Sequence, residues 1–140
     1  VKISPADFVS NFLGSLHCDS AKKQIKALHG GIQLQRVVDR LFDLENYCRS
    51  WTTGGFSGVG ITNSSGESSL TMSQYGRDRE FVCPDGKTRI FEYHLKGLPN
   101  AWRIHIWADE HEEFSLASSG NRKILVGYVG KHLPTANDPT

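Results

Sequence analysis

Several things are scarce in this chain, and each scarcity excludes something. Cysteine occurs three times in 140 residues, at positions 18, 48 and 83, an odd number at wide spacing with no CxxC pair. That excludes a disulfide framework and a cysteine-based zinc site, and it predicts three reduced thiols in a cytoplasmic protein. No run of eighteen apolar residues exists, and Asp7 with polar neighbours interrupts the first twenty positions, so neither a membrane span nor a signal peptide is expected. Sixteen Lys and Arg against fifteen Asp and Glu leave a net charge of +1, too little for a long-range pull toward nucleic acid or anionic lipid. No internal repeat is visible, and the stretch from Thr52 to Gly58 lacks the lysine of a phosphate-binding loop. The chain begins at Val1 rather than Met, as an excised domain, a processed product or a trimmed chain would.

The rest is ordinary globular material: 38% hydrophobic, 10% aromatic and 22% charged, at a length that suits one domain. Ser4-Pro5-Ala6-Asp7 has the cap, proline and acid of a helix start, and Phe8, Val9, Phe12, Leu13 and Leu16 follow at helical spacing. Asp19-Ser20 predicts the cap of a second helix that carries Ile25 and Leu28 and breaks at His29-Gly30-Gly31. A third helix takes Leu34, Val37, Val38, Leu41, Leu44, Tyr47 and Cys48 on one face, with Asp39 and Asp43 turned outward toward Arg36 and Arg40. In residues 52–69, thirteen of eighteen positions are Gly, Ser or Thr. They predict a flexible loop or a weak hairpin, in which Phe56, Val59 and Ile61 would pair with Leu70 and Met72 across Asn63-Ser64-Ser65-Gly66.

Beyond Tyr75 the period becomes two. Residues 79–83 and 88–96 flank the turn Pro84-Asp85-Gly86-Lys87, with Phe91, Tyr93 and Leu95 on one side of the second strand and Glu92, His94 and Lys96 on the other. Trp102 to Ala108 repeats the pattern, Ile104 and Ile106 opposing Arg103, His105 and Trp107, and Lys123 to Val129 is a last apolar strand. The predicted fold is therefore α+β: two or three N-terminal helices packed on a twisted, mainly antiparallel sheet of four to six strands. One domain spans 1–134, with 1–50 helical, 52–69 the loop and 70–134 the sheet, and the tail 135–140 is expected to fray.

If adjacent strands pair face to face, Glu92, His94, Lys96, Arg103, His105 and Trp107 share one side of the sheet. Tyr128 and Lys131 lie on opposite parities unless the glycines at 127 and 130 permit a bulge. Such a face suits metal-free RNA cleavage. His94 or His105 would transfer protons, Lys96, Arg103 and Lys131 would bind phosphate, and Trp107 or Tyr128 would stack bases. A metal hydrolase would instead use His94, His105 and a carboxylate such as Glu92, but no recognised ligand spacing supports it and no metal or other cofactor is predicted. A non-catalytic module binding another protein through the sheet is the alternative function. Charge is unevenly spread: residues 87–132 hold seven Lys and Arg and five Asp and Glu, four of the acids within 109–113, so the strands themselves are cationic.

The run from Phe91 to Pro134 contains "FEYHLKG", "RIHIWAD", an acidic bend, "ILVGYVGKHLPT" and the turn "LKGLPNAWRI". Over this third of the chain it resembles the RelE/HigB/ParE group of bacterial toxins. The resemblance implies two helices followed by an antiparallel sheet, and an mRNA endoribonuclease acting on RNA, often ribosome-bound message, and countered by an antitoxin protein. In matched positions Lys96 and Arg103 correspond to cations of the concave face, Lys131 and His132 to the terminal basic pair, and Tyr128 loosely to an aromatic beside it. Arg122, Lys123, Trp107, Tyr128 and His132 are the expected nucleic-acid contacts, and His94 and His105 are additions suited to ribonuclease chemistry. The chain differs from the group in its near-neutrality, in the extra residues 52–80, and in showing no strand ahead of its helices.

Overall fold

The computed structural model describes residues 15–28, 30–52, 54–111 and 123–139. Most of the helix expected from Ser4 lies outside them, and where it would end the chain is extended instead. Ser15–His17 form strand β1, paired in parallel with the last strand (Ser15 with Ile124, Leu16 with Leu125, His17 with Val126). Helix α1, Asp19–Lys26, follows at once, and Cys18 rather than Ser20 takes the N-cap position. The Cys18 N–H continues the strand pairing to Val126 O at 2.9 Å, and the Ser20 hydroxyl donates to Gly127 O at 2.6 Å. Helix α2, Gly31–Ser50, buries Val37, Leu41, Leu44 and Cys48, as its apolar spacing predicts. Arg36 pairs with Asp39 at 3.3 Å and Arg40 with Asp43 at 2.8 Å.

The hairpin expected within 52–72 does not form. Ser64–Ser65 is a two-residue strand, β2, on the edge of the main sheet, and Leu70 and Met72 lie on helix α3, Ser69–Tyr75. The reason is a cap: Ser68 Oγ accepts the Thr71 N–H at 3.1 Å and starts the helix where a return strand would have run.

Strands β3, Glu80–Val82, and β4, Thr88–Ile90, make the expected hairpin, yet they stand apart as a two-stranded sheet. The chain breaks at Phe91–Glu92 before β5, Tyr93–Leu95, and then runs through β6, Trp102–Asp109, and β7, Lys123–Lys131. The main sheet has the order β1-β7-β6-β5-β2 and is antiparallel except for β1, an α+β arrangement. Among the described residues no helix is long and apolar enough to cross a membrane.

The two faces of the sheet are covered differently. On one, α1 and α2 contribute Ala21, Ile25, Val37, Leu41 and Leu44 to a core shared with Leu95, Ile104, Ile106, Ile124, Val126 and Val129. On the other, Phe91 and Leu125 pack with Cys18 and Cys83 under the β3–β4 hairpin, with Phe81 and Trp107 against them. Phe91 was expected beside Tyr93 and Leu95. The break after β4 ends the alternation and turns its ring to the opposite side.

A β-bulge sets both faces. His105 pairs with Tyr128 but Ile106 pairs with Val126, so Gly127 has no partner. Val126 and Val129 therefore both reach the helix-side core, and Tyr128 joins His105 on the opposite face. Only glycine fits at the bulge, since a Cβ there would lie 2.7 Å from the Phe91 ring. Gly127→Ala is expected to destabilise the fold by about 1–3 kcal/mol through overpacking. Urea unfolding followed by circular dichroism measures this, and an unchanged midpoint would show that Phe91 can retreat.

Candidate functional site

The antiparallel pairing of β5 and β6 places His94 directly opposite His105, with ring centroids 5.1 Å apart. Both rings are buried. His105 Nδ1 lies 2.8 Å from Phe91 O, and His94 Nδ1 lies 3.2 Å from Glu92 O. A carbonyl accepts only from N–H, so these contacts assign the proton of each neutral ring to Nδ1 and leave Nε2 with a lone pair. Burial pushes His105 down from the ordinary 6.5 to about 3, helped by the charges of His94, Arg79 and Arg103. Burial also lowers His94, and Arg103 and Lys96 add to that effect, while Glu92 O and Glu67 oppose it. Both imidazoles are neutral near pH 7.

Around the two rings lies a cavity of about 190 Å³, lined by Glu67, Arg79, His94, Arg103, His105, His132, Leu133, Thr135 and Asp138. Arg79 enters from the turn before β3 and is fully buried. Its Nε donates to Glu67 Oε2 at 2.8 Å and its Nη1 to Tyr75 O at 3.2 Å. Its Nη2 sits 2.6 Å from the same Glu67 oxygen without hydrogen-bond alignment and has no other hydrogen-bond partner. The other Glu67 oxygen, Oε1, is 3.7 Å from His94 Nδ1. The arrangement thus sets the two neutral histidines beside two guanidiniums, with the Glu67 carboxylate already held by Arg79.

The far wall is the C-terminal segment, whose described residues up to Asp138 carry hydrogen bonds. His132 Nε2 meets Asp138 Oδ2 at 2.9 Å and His132 Nδ1 lies 3.0 Å from Leu133 O. Thr135 and Asp138 exchange backbone hydrogen bonds, and the Ala136 N–H donates to Thr71 Oγ1 at 3.1 Å. These side-chain and turn bonds replace the packing that a tail without large apolar residues lacks.

Of the residues singled out from the sequence, the cavity brings together His94, Arg103, His105 and His132. Lys96 is half-buried and follows His94 at the end of β5, close enough for its charge to act on that ring. Lys131 is exposed at the end of β7 and lies outside the cavity lining. Tyr128 reaches this face through the bulge, but its ring is stacked on Phe81 at 5.7 Å and its hydroxyl donates to Lys131 O at 2.7 Å. Trp107 lies under the guanidinium of Arg89, 4.7 Å from its ring centroid, among the second hydrophobic cluster and not at the cavity. Both aromatic rings expected to stack bases are therefore engaged by the protein itself. Lys123 pairs with Asp109 in the β6–β7 register, and Arg122 lies outside the described residues. Glu92, the carboxylate considered beside the histidines, is exposed, and Glu67 occupies the position it was expected to fill.

Glu67, Arg79 and Asp138 were not singled out from the sequence. Glu67 carried a signal, being the only charged residue in 52–69. Arg79 opens the predicted strand 79–83 with nothing to set it apart, and Asp138 sits in a polar tail, so neither stood out.

Buried neutral histidines tie stability to pH. His105 is lowered to about 3, and His17, also buried, to about 4, whereas unfolded histidine titrates near the ordinary 6.5. Within that window the unfolded chain binds more protons, so stability present above pH 6.5 is lost as pH falls toward the folded values. Asp85, lowered to about 2 by its hydrogen bonds from Arg89, works in the same direction, but only below its ordinary 3.8. The urea midpoint should therefore fall between about pH 7 and about pH 4. The slope should flatten in His105→Gln, which keeps a neutral donor toward Phe91 O, and a slope unchanged by that substitution would remove His105 as its source. In comparisons with known proteins, no protein-family model, curated protein or solved structure matches the chain.

Proposed function

We propose that this protein binds RNA and cleaves it without a metal ion, in the manner expected of a RelE/HigB-like toxin. The observation that carries the reading is the facing pair of neutral histidines, His94 and His105, which share one cavity with Arg103 and with Arg79, whose guanidinium is paired with Glu67. A phosphodiester entering the cavity would meet Arg103, and arginine binds phosphate in a bidentate geometry. Further support comes from the order of elements. Helices α1 and α2, with the shorter α3 added after them, precede the antiparallel strands β5 to β7, and β1 supplies a strand ahead of α1 that the sequence did not show.

In the reaction, the 2′-hydroxyl attacks the adjacent phosphorus and the 5′-oxygen leaves, giving a 2′,3′-cyclic phosphate. His94 takes the 2′-hydroxyl proton on Nε2, a role its neutrality allows. Arg103 stabilises the charge that develops on the phosphorane oxygens, and Arg79, fully buried and paired with Glu67, adds its charge without touching substrate. His132 gives up its Nε2 contact to Asp138 and turns that N–H to the leaving 5′-oxygen, which takes the proton. His105 is too deeply buried to exchange protons with substrate and acts as a positioning residue behind His94, while Lys96 adds charge at the rim. The reading places the protein's partners as RNA, ribosome-bound message among it, and an antitoxin-type protein that neutralises it.

End-labelled RNA incubated with the purified chain in excess EDTA should be cut and should yield cyclic phosphate termini. His94→Gln and Arg103→Met should each slow cleavage by about a hundredfold or more. If free RNA stays intact, translating ribosomes provide the second arm. RNA left whole in both, by a folded protein, would reject the nuclease and favour the non-catalytic interaction module.

A further inference from the structure

A second property of the cavity follows from its ligand atoms. Glu67, His94 and His105 each offer a donor atom within 4.8 Å of the other two, and all three side chains are largely removed from water. Imidazole, imidazole and carboxylate form the donor set of zinc, cobalt or nickel rather than of magnesium or calcium. Metal-ligating histidines characteristically fix their rings by donating the other nitrogen to a carbonyl. His105 has that contact to Phe91 O at 2.8 Å and His94 a longer one to Glu92 O at 3.2 Å. Ligating carboxylates are likewise held from behind, as Arg79 holds Glu67 through Oε2. Oε1 is then left on the histidine side, 3.7 Å from His94 Nδ1, so the ring must reorient slightly for Nε2 and Oε1 to meet one ion.

Two features set how tightly an ion would be held. Neutral histidines present no proton for a cation to displace, which favours uptake at neutral pH. Arg79 and Arg103 line the same cavity and repel a cation, which weakens it. The ligand atoms, which lie within 4.8 Å of one another, must also settle to the spacing of a tetrahedral shell.

From this we infer that Glu67, His94 and His105 form a reversible binding site for one divalent transition ion of the zinc type, and that occupying it silences the nuclease. The silencing half rests on the proposed function, because the ion would take the lone pair with which His94 accepts the 2′-hydroxyl proton. The binding half does not. No covalent step is involved: the ion exchanges bound water for protein donors, and a chelator reverses it.

The experiment uses Co²⁺ and Zn²⁺ with the full chain. One equivalent of Co²⁺ should give the visible d–d bands of a four-coordinate site, Zn²⁺ should displace them, and EDTA should abolish them. Glu67→Gln and His94→Asn should weaken binding by about tenfold to a hundredfold or more. Circular dichroism establishes that each variant is folded, and Glu67→Gln serves where a histidine variant is not. The same equivalent of Zn²⁺ should stop RNA cleavage, and EDTA should restore it. Absence of bands in the wild type, or bands that persist unchanged in both folded variants, overturns the site. Cleavage that accelerates with Zn²⁺ overturns the silencing and makes the ion part of the reaction. A chain that binds Co²⁺ through these residues but never cuts RNA upholds the site and rejects only the nuclease.

Discussion

Between His105 and Ile106 the ladder joining β6 to β7 slips by one residue at Gly127, and each face of the sheet takes its content from that slip. Without it, Val126 and Val129 could not both point at the helices, because odd and even positions of a regular strand face opposite ways. With it, Tyr128 closes the aromatic chain Phe81, Tyr128, His105, His94 on the other side, at ring separations of 5.7, 5.7 and 5.1 Å. The absent Cβ leaves space for the Phe91 ring, and Phe91 O in turn orients His105. A single glycine thereby connects the hydrophobic core to the tautomer of a buried imidazole.

The buried pair of Glu67 and Arg79 does not earn its place through stability. Taking a guanidinium and a carboxylate out of water costs several kcal/mol per ion, which their attraction seldom more than offsets, and apolar residues of the same volume often serve the fold as well. Arg79 also leaves Nη2 without a hydrogen bond, a further cost. Both penalties fall at the wall of the cavity that holds His94 and His105. This is the pattern expected where charges are arranged for a ligand rather than for the fold.

The sequence disclosed regular features well and non-local ones poorly. Alternation through Glu92 to Lys96 and Trp102 to Ala108 was enough to put His94 and His105 on a shared face, and the glycines at 127 and 130 marked where a bulge was needed to bring Tyr128 there. Helix α2 was legible because twenty residues repeat the apolar spacing often enough to be unmistakable. Strand β1 was not, since three residues show no period and its pairing partner lies more than a hundred positions away. Helix α3 was missed for want of weight on the Ser68 cap, and the base-stacking roles of Trp107 and Tyr128 ignored partners, Arg89 and Phe81, that only the tertiary fold supplies. Arg79 was invisible for the same reason: nothing local distinguishes a solvated arginine at the start of a strand from one turned inward.

The three cysteines acquire a further meaning from their placement. Cys18, Cys48 and Cys83 are all buried, and Cys18, packed near Cys83 at the base of the β3–β4 hairpin, is pushed up to about 12 by burial and by its neighbouring thiol. A folded molecule therefore presents almost no thiolate to an alkylating reagent, and modification has to await an opening that exposes sulfur. Cys18 and Cys83 report on the corner where β1, α1 and the hairpin meet, while Cys48 reports on the helix-side core. The chain thus carries two separate internal clocks for local opening, one on each side of its sheet.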